Sequence, residues 1–233
     1  MTYHIKAILW KQLKDTLKNK AILIQFVMFP LMTIIMEKSI SLPDMPEHFF
    51  ANLFAVMYIG MAPLTSAAAI ISEEKEKNTL RVLRMCNVQA AEFLIGNAAY
   101  IISICMLGSL VIGCSTGYTG MTLLKFLLVM LVGHICSFLL GAAIGTAVKN
   151  QMSATSITVP IMIVLAFLPM LSMFNETIKK FSKFIFSEQL FVLINDLSEI
   201  HITFENGIIM ICNAVLILII FILVYQKGFK ISK

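Results

Sequence analysis

Charge is what this sequence has least of. Only 13% of its 233 residues are Asp, Glu, Lys or Arg, against 59% that are hydrophobic, and a water-soluble domain of that length needs far more polar surface to cover its exterior. Cysteine is sparse and unpatterned. Cys86, Cys105, Cys114, Cys136 and Cys212 form no C-x-x-C pair, so they read as small apolar residues and not as a redox or metal centre. No G-x-x-x-x-G-K-[ST] phosphate loop, H-E-x-x-H or G-x-S-x-G motif occurs, and no carboxylate pair lies deep in an apolar run. The chain thus lacks the signatures of nucleotide binding, zinc proteolysis and serine hydrolysis, and no catalytic, cofactor-binding or metal-ligating residue can be named in it.

Apolar stretches are what remain, and they recur along the whole chain, at about 21–40, 49–71, 93–114, 123–148, 152–173 and 207–225. At about 1.5 Å per residue each approaches the ~30 Å of a bilayer's hydrocarbon core. The expected fold is therefore all-α: a polytopic membrane protein, residues 1–233 forming one domain with six transmembrane helices. Before the first span, Lys6, Lys11, Lys14, Lys18 and Lys20 alternate with Ile5, Ile8, Leu9, Trp10, Leu13 and Leu17. That pattern predicts an amphipathic helix over 1–20, lying in the headgroup layer with Trp10 at the interface.

The basic residues orient the chain. With the N-terminus inside, thirteen of the 18 Lys and Arg fall on inner segments and five, Lys38, Lys125, Lys179, Lys180 and Lys183, on outer ones. Both termini are expected in the cytoplasm, and the net charge of +5 reflects this asymmetry rather than nucleic-acid binding. Residues 174–206 then become an outer segment of one or two short helices, lying on the outer interface or dipping into the bilayer, with Ile178, Phe181, Ile185, Leu190, Leu193, Ile194 and Leu197 as candidate membrane-facing residues. Glu37, Asp44, Glu47 and His48 are expected in a solvated outer loop.

Inside the spans, Asn52, Asn97 and His134 are candidates for a substrate pathway, or for structural hydrogen bonds between helices. Gly141 and Gly145, in a small-x-x-x-small pattern, predict close helix packing against an unnamed neighbour. Pro30, Pro63, Pro160 and Pro169 offer kinks.

One internal segment breaks the scarcity of charge. The loop over 72–92 opens with S-E-E-K-E-K-N-T-L-R-V-L-R, seven charged groups between Glu73 and Arg84. Leu80 and Leu83 fall one turn apart with Arg81 and Arg84 on a neighbouring face, which predicts a short amphipathic helix on the cytoplasmic surface. Asn87 is a candidate N-cap for the helix that continues through Glu92.

This stretch resembles the cytoplasmic loop of ABC type-2 transporter permeases, whose pattern is close to E-x-E-x-G-T-L-x-x-L. The matching positions are Glu74, Glu76, Asn78, Thr79, Leu80 and Leu83, with Asn78 in place of the family's glycine. Asparagine also visits left-handed backbone geometry.

The resemblance implies that residues 73–84 form a coupling helix against a separate ABC ATPase subunit. Glu74, Glu76 and Arg81 would make its polar contacts and Leu80 and Leu83 would fill a groove on the partner, with Glu73, Thr79 and Arg84 in the same coupling set. It further implies that ATP and Mg bind the partner chain, and that a homodimer of permeases joins two ATPases in a bacterial inner membrane to export a drug or antimicrobial peptide. Two other classes compete. An ion-coupled secondary transporter would carry carboxylates deep in its spans, where this chain has only Glu37 near an end. A non-transporting scaffold or sensor would use the loop to recruit a signalling partner.

Overall fold

A chain in lipid must satisfy its backbone polar groups internally, and every element among the described residues is a helix. The computed structural model describes residues 2–40, 46–197 and 204–230, apart from the side chains of residues 2, 21, 84, 204 and 227–230. Asp44, the Arg84 side chain and the lysines expected inside at 227, 230 and 233 therefore lie outside the described residues or side chains.

The spans are α2 (Lys20–Ser39), α3 (Phe49–Glu76), α5 (Ala90–Ser115), α6 (Gly120–Ala147), α7 (Gln151–Ser172) and α10 (Phe204–Lys230). Six of the described helices are long and apolar enough to cross a membrane. Around them lie α1 (Thr2–Lys18), α4 (Thr79–Met85), α8 (Glu176–Ser182) and α9 (Phe186–Asn195). With six crossings, α1 and the C-terminal end of α10 share one side, the terminal face, with the α3–α5 and α6–α7 connections.

The central helix is α3, which packs against α2, α5, α6, α7 and α9. Its small residues explain why. Ala55, Ala62, Ala67 and Ala68 are buried, and they allow backbones to approach closely, the main source of association between helices in lipid. Gly141 and Gly145 find their partner here: a Cβ on Gly141 would collide with the Leu64 carbonyl oxygen, and one on Gly145 would sit 2.9 Å from that of Ala68. Gly60 plays the same part toward α7, where its Cβ would lie 3.0 Å from the Leu165 carbonyl carbon. The prolines stand inside α2, α3 and α7 without ending them.

On the opposite face the expectations need two corrections. First, α9 does not turn its apolar residues to lipid. Leu190, Leu193, Ile194 and Leu197 are buried in the core, while Phe181 is exposed and Ile185 packs against the core's edge. The reason is depth. Leu190 reaches the position of a Cβ on Gly133, beside Ile59 in α3, and the Phe184 carbonyl accepts a 2.9 Å bond from Asn213 Nδ2. Asn213 is nine residues, about 13 Å, along α10 from its start. The α8–α9 hairpin is thus folded back among the spans, so its apolar face meets protein.

Backbone at that depth needs partners, and side chains provide them: Gln189 Nε2 donates to the Lys183 carbonyl at 2.6 Å and Asn213 to that of Phe184. Second, Glu37 and His48 are not a loosely solvated pair. His48 Nδ1 donates to Glu37 Oε1 (3.0 Å), while Glu37 Oε2 accepts from the Ala51 backbone N–H (3.2 Å). Glu37 thereby satisfies an orphan donor in the first turn of α3, where a carboxylate is favoured by the helix dipole.

Candidate coupling surface

The apolar run of α3 ends near Ile71, but the helix continues through Glu76, so the charged stretch is the protruding end of the central helix. What stops it is Asn78. Its φ of 55° is left-handed, the geometry for which a glycine or asparagine is suited, and the chain restarts as α4 at Thr79. The expected single helix over 73–84 is therefore two elements with a two-residue joint at Lys77–Asn78. A second left-handed residue, Asn87 (φ 60°), follows α4. It is a turn residue and not the expected N-cap. The α5 cap is Gln89, whose backbone N–H donates to Glu92 Oε2 at 3.0 Å, half of a capping box.

The charged groups around the joint hold it to three other helices, α1, α6 and α7. Glu74, buried, is paired with Lys11 of α1 and accepts a hydrogen bond from the Thr79 hydroxyl, which also donates to the Glu74 carbonyl at 2.9 Å. Lys75 Nζ donates to the Thr146 carbonyl at 2.6 Å, in the last turn of α6, where a cation complements the helix dipole. Glu76 Oε2 accepts from the backbone N–H of Gln151 at 2.9 Å, the first residue of α7, the reciprocal arrangement. Glu73 binds Lys77 one turn on, and this bond raises the Lys77 ammonium above its ordinary pKa. Beyond α4, His4 Nδ1 donates to Glu92 Oε2 at 2.9 Å. Helix α1 is thus fastened to both sides of α4, by Lys11 before it and His4 after it.

Helix α4 is two-sided. Leu80 and Leu83 are half-buried and pack, with Val88, against the chain's own core. The outward side carries Arg81, with Val82 57% and Met85 74% exposed. Spacing alone singled out the two leucines and passed over the valine and methionine; the left-handed residue before Thr79 sets which side faces out. Lys11 and His4 were also missed as partners of the loop, because nothing local in the sequence relates residues 63 and 88 positions apart.

The three polar residues singled out within the spans, Asn52, Asn97 and His134, are buried. Asn52 Nδ2 donates to Asn195 Oδ1 at 2.8 Å and its Oδ1 accepts from the Tyr118 hydroxyl at 3.0 Å, which ties α3 to α9 and to the α5–α6 turn. Asn97 Nδ2 donates to the Phe93 carbonyl at 2.8 Å. The Ser109 hydroxyl donates to the Cys105 carbonyl, so His134 Nε2 donates to Ser109 Oγ at 2.8 Å, and the Tyr58 ring meets the imidazole edge-on at 5.5 Å. Among the described residues no group of three or more His, Cys, Asp or Glu is placed to hold a metal ion.

Six spans, one of which is a central helix that projects a braced, charged joint at the terminal face, define a multi-pass membrane protein. The chain belongs to the ABC-2 family transporter proteins, whose family profile matches residues 3–226. It is a permease of the ABC transporter class, and that family implies an ABC ATPase as partner. Comparison with curated proteins gave no match.

Proposed function

We propose that this permease exports a hydrophobic or amphipathic compound, such as a drug or antimicrobial peptide, and that a separate ATPase drives it by pressing on α4. The observation that supports this reading is the position of α4, hinged at Asn78 on the end of the one helix that touches most of the others. Force applied to Arg81, Val82 and Met85 passes into α3 through Glu74 and Thr79, and onward to α6 and α7 through Lys75 and Glu76. Such a lever suits a switch between two packings of the spans.

In this reading Glu73, Glu74, Glu76 and Thr79 set the lever's angle, Leu80 and Leu83 seat it, and Arg81 and Arg84 join Val82 and Met85 in meeting the partner. ATP and Mg sit on the partner. Two permeases and two ATPases form the working complex in a bacterial inner membrane, with the terminal face cytoplasmic, as the distribution of basic residues indicates. Asn52, Asn97 and His134 are candidates for polar groups uncovered along the pathway when the packing switches.

The test uses the permease co-expressed with its ATPase. Val82→Asp with Met85→Asp is expected to lower co-purification of the ATPase at least tenfold and to abolish stimulation of its turnover by permease, while leaving helicity and thermal midpoint of the permease unchanged. Full stimulation in that variant overturns the lever. Labelling of a cysteine placed at Lys75 from the external side overturns the orientation.

A further inference from the structure

A cleft of about 490 Å³ opens between α1 and α5, lined by Tyr3, Lys6, Trp10 and Leu13 on one side and Tyr100, Ser103 and Ile104 on the other. Helix α1 meets α5 near its start: His4 bonds to Glu92, and Ile8 fills the space over Gly96, where a Cβ would lie 2.8 Å from the Ile8 side chain. Tyr100 and Ile104 stand ten and fourteen residues along α5 from Ala90, about 15 to 21 Å by helical rise. The cleft therefore has a basic end beside the terminal face and an apolar end at the depth of acyl chains. Trp10 is 60% exposed, Tyr3 81% and Leu13 37%, an apolar stripe that runs beside the cleft. Lys14 is engaged over the Trp10 ring, 5.2 Å from its centroid, whereas Lys6 lines the cleft itself.

We propose that this cleft holds one anionic phospholipid of the bilayer, an acyl chain lying between Trp10 and Ile104 and the headgroup phosphate meeting Lys6. The complementarity is of two kinds along one axis. A lysine at the headgroup level attracts an anionic lipid, and an aromatic residue with an amphipathic ring suits the boundary just below. A protein segment would have to thread into the bilayer to reach Ser103 and Ile104, whereas a lipid is already there. Bound in this way, the lipid acts as a filler between α1 and α5, and it makes the α1–α5 contact responsive to lipid charge.

Trp10 is the chain's only tryptophan, so its fluorescence reports the site directly. The full-length protein is reconstituted in phosphatidylcholine vesicles doped with rising fractions of either phosphatidylglycerol or phosphatidylcholine brominated on the acyl chains. Half-maximal quenching is expected at about fivefold lower mole fraction for the brominated phosphatidylglycerol, the factor contributed by one lysine near the membrane surface. Lys6→Gln, at an exposed side chain, and Ser103→Phe, which fills the cleft without adding a second tryptophan, are each expected to abolish that preference; far-UV circular dichroism verifies that both variants fold. Equal quenching by the two lipids in the wild-type protein, or a preference that survives in either variant, overturns the proposal.

Discussion

Lys11 and Glu74, 63 residues apart in sequence, form an ion pair that fastens the N-terminal strap helix to the end of the central span. The carboxylate is buried and the lysine about 41% exposed, so the pair lies at a boundary where solvent screens one partner more than the other. Glu74→Gln is expected to cost about 1–2 kcal/mol, a charged hydrogen bond partly discounted for that exposure. The reversed pair, Lys11→Glu with Glu74→Lys, is expected to recover part of the loss. A double-mutant cycle on thermal unfolding in detergent measures the coupling, and a coupling of zero contradicts the fastening.

Gly141 has no room for a side chain, since the atom next added would strike the Leu64 carbonyl oxygen, a backbone group that cannot swing aside. Gly141→Leu is expected to destabilise the bundle by about 1–3 kcal/mol or more, the range for overpacking a filled core. Gly145→Ala meets Ala68 and Ile71 at 2.9 Å and is expected to cost less. Unfolding midpoints of the two variants, compared in one detergent, check the order.

Glu188 sits in the folded-back hairpin with both oxygens on the Ser172 hydroxyl, at 2.8 and 2.9 Å. Burial raises its pKa above the ordinary carboxylate value, opposed by the hydroxyls of Ser172 and Ser182 and by Lys179. A carboxyl whose folded pKa is raised holds its proton more tightly when folded. Stability is then greatest below the ordinary carboxylate pKa, falls as pH rises from there to the raised value, and is level above it. Glu188→Gln should remove that component of the pH profile and raise the melting temperature at pH 7 relative to wild type. A wild-type midpoint that climbs between pH 4.5 and 7 by an amount Glu188→Gln abolishes would show the opposite sign.

The spans could be read from the sequence because lipid imposes one simple requirement, an apolar run long enough to cross, and α2, α3, α5, α6, α7 and α10 meet it within a few residues. Asn78 was legible for a related reason, since a left-handed backbone position restricts residue type strongly. The facing of α9 was not. Leu190 and Ile194 are equally apolar whether they meet lipid or protein, so periodicity marks the stripe without naming its neighbour. The division of α4 failed similarly: Leu80, Val82, Leu83 and Met85 are all apolar, and only the turn at Asn78 decides which two pack inward. Contacts between distant positions, such as His4 with Glu92 or Asn52 with Asn195, depend on tertiary placement that a local pattern cannot encode.

The hairpin tip bears on how the protein is made. Its Phe184 carbonyl is capped by Asn213, which belongs to the final span, so a nascent chain that has emerged only as far as α9 has no ligand for that carbonyl at bilayer depth. The turn gains that partner only when α10 packs beside it, so seating of the α8–α9 hairpin is coupled to docking of a helix that follows it in the chain.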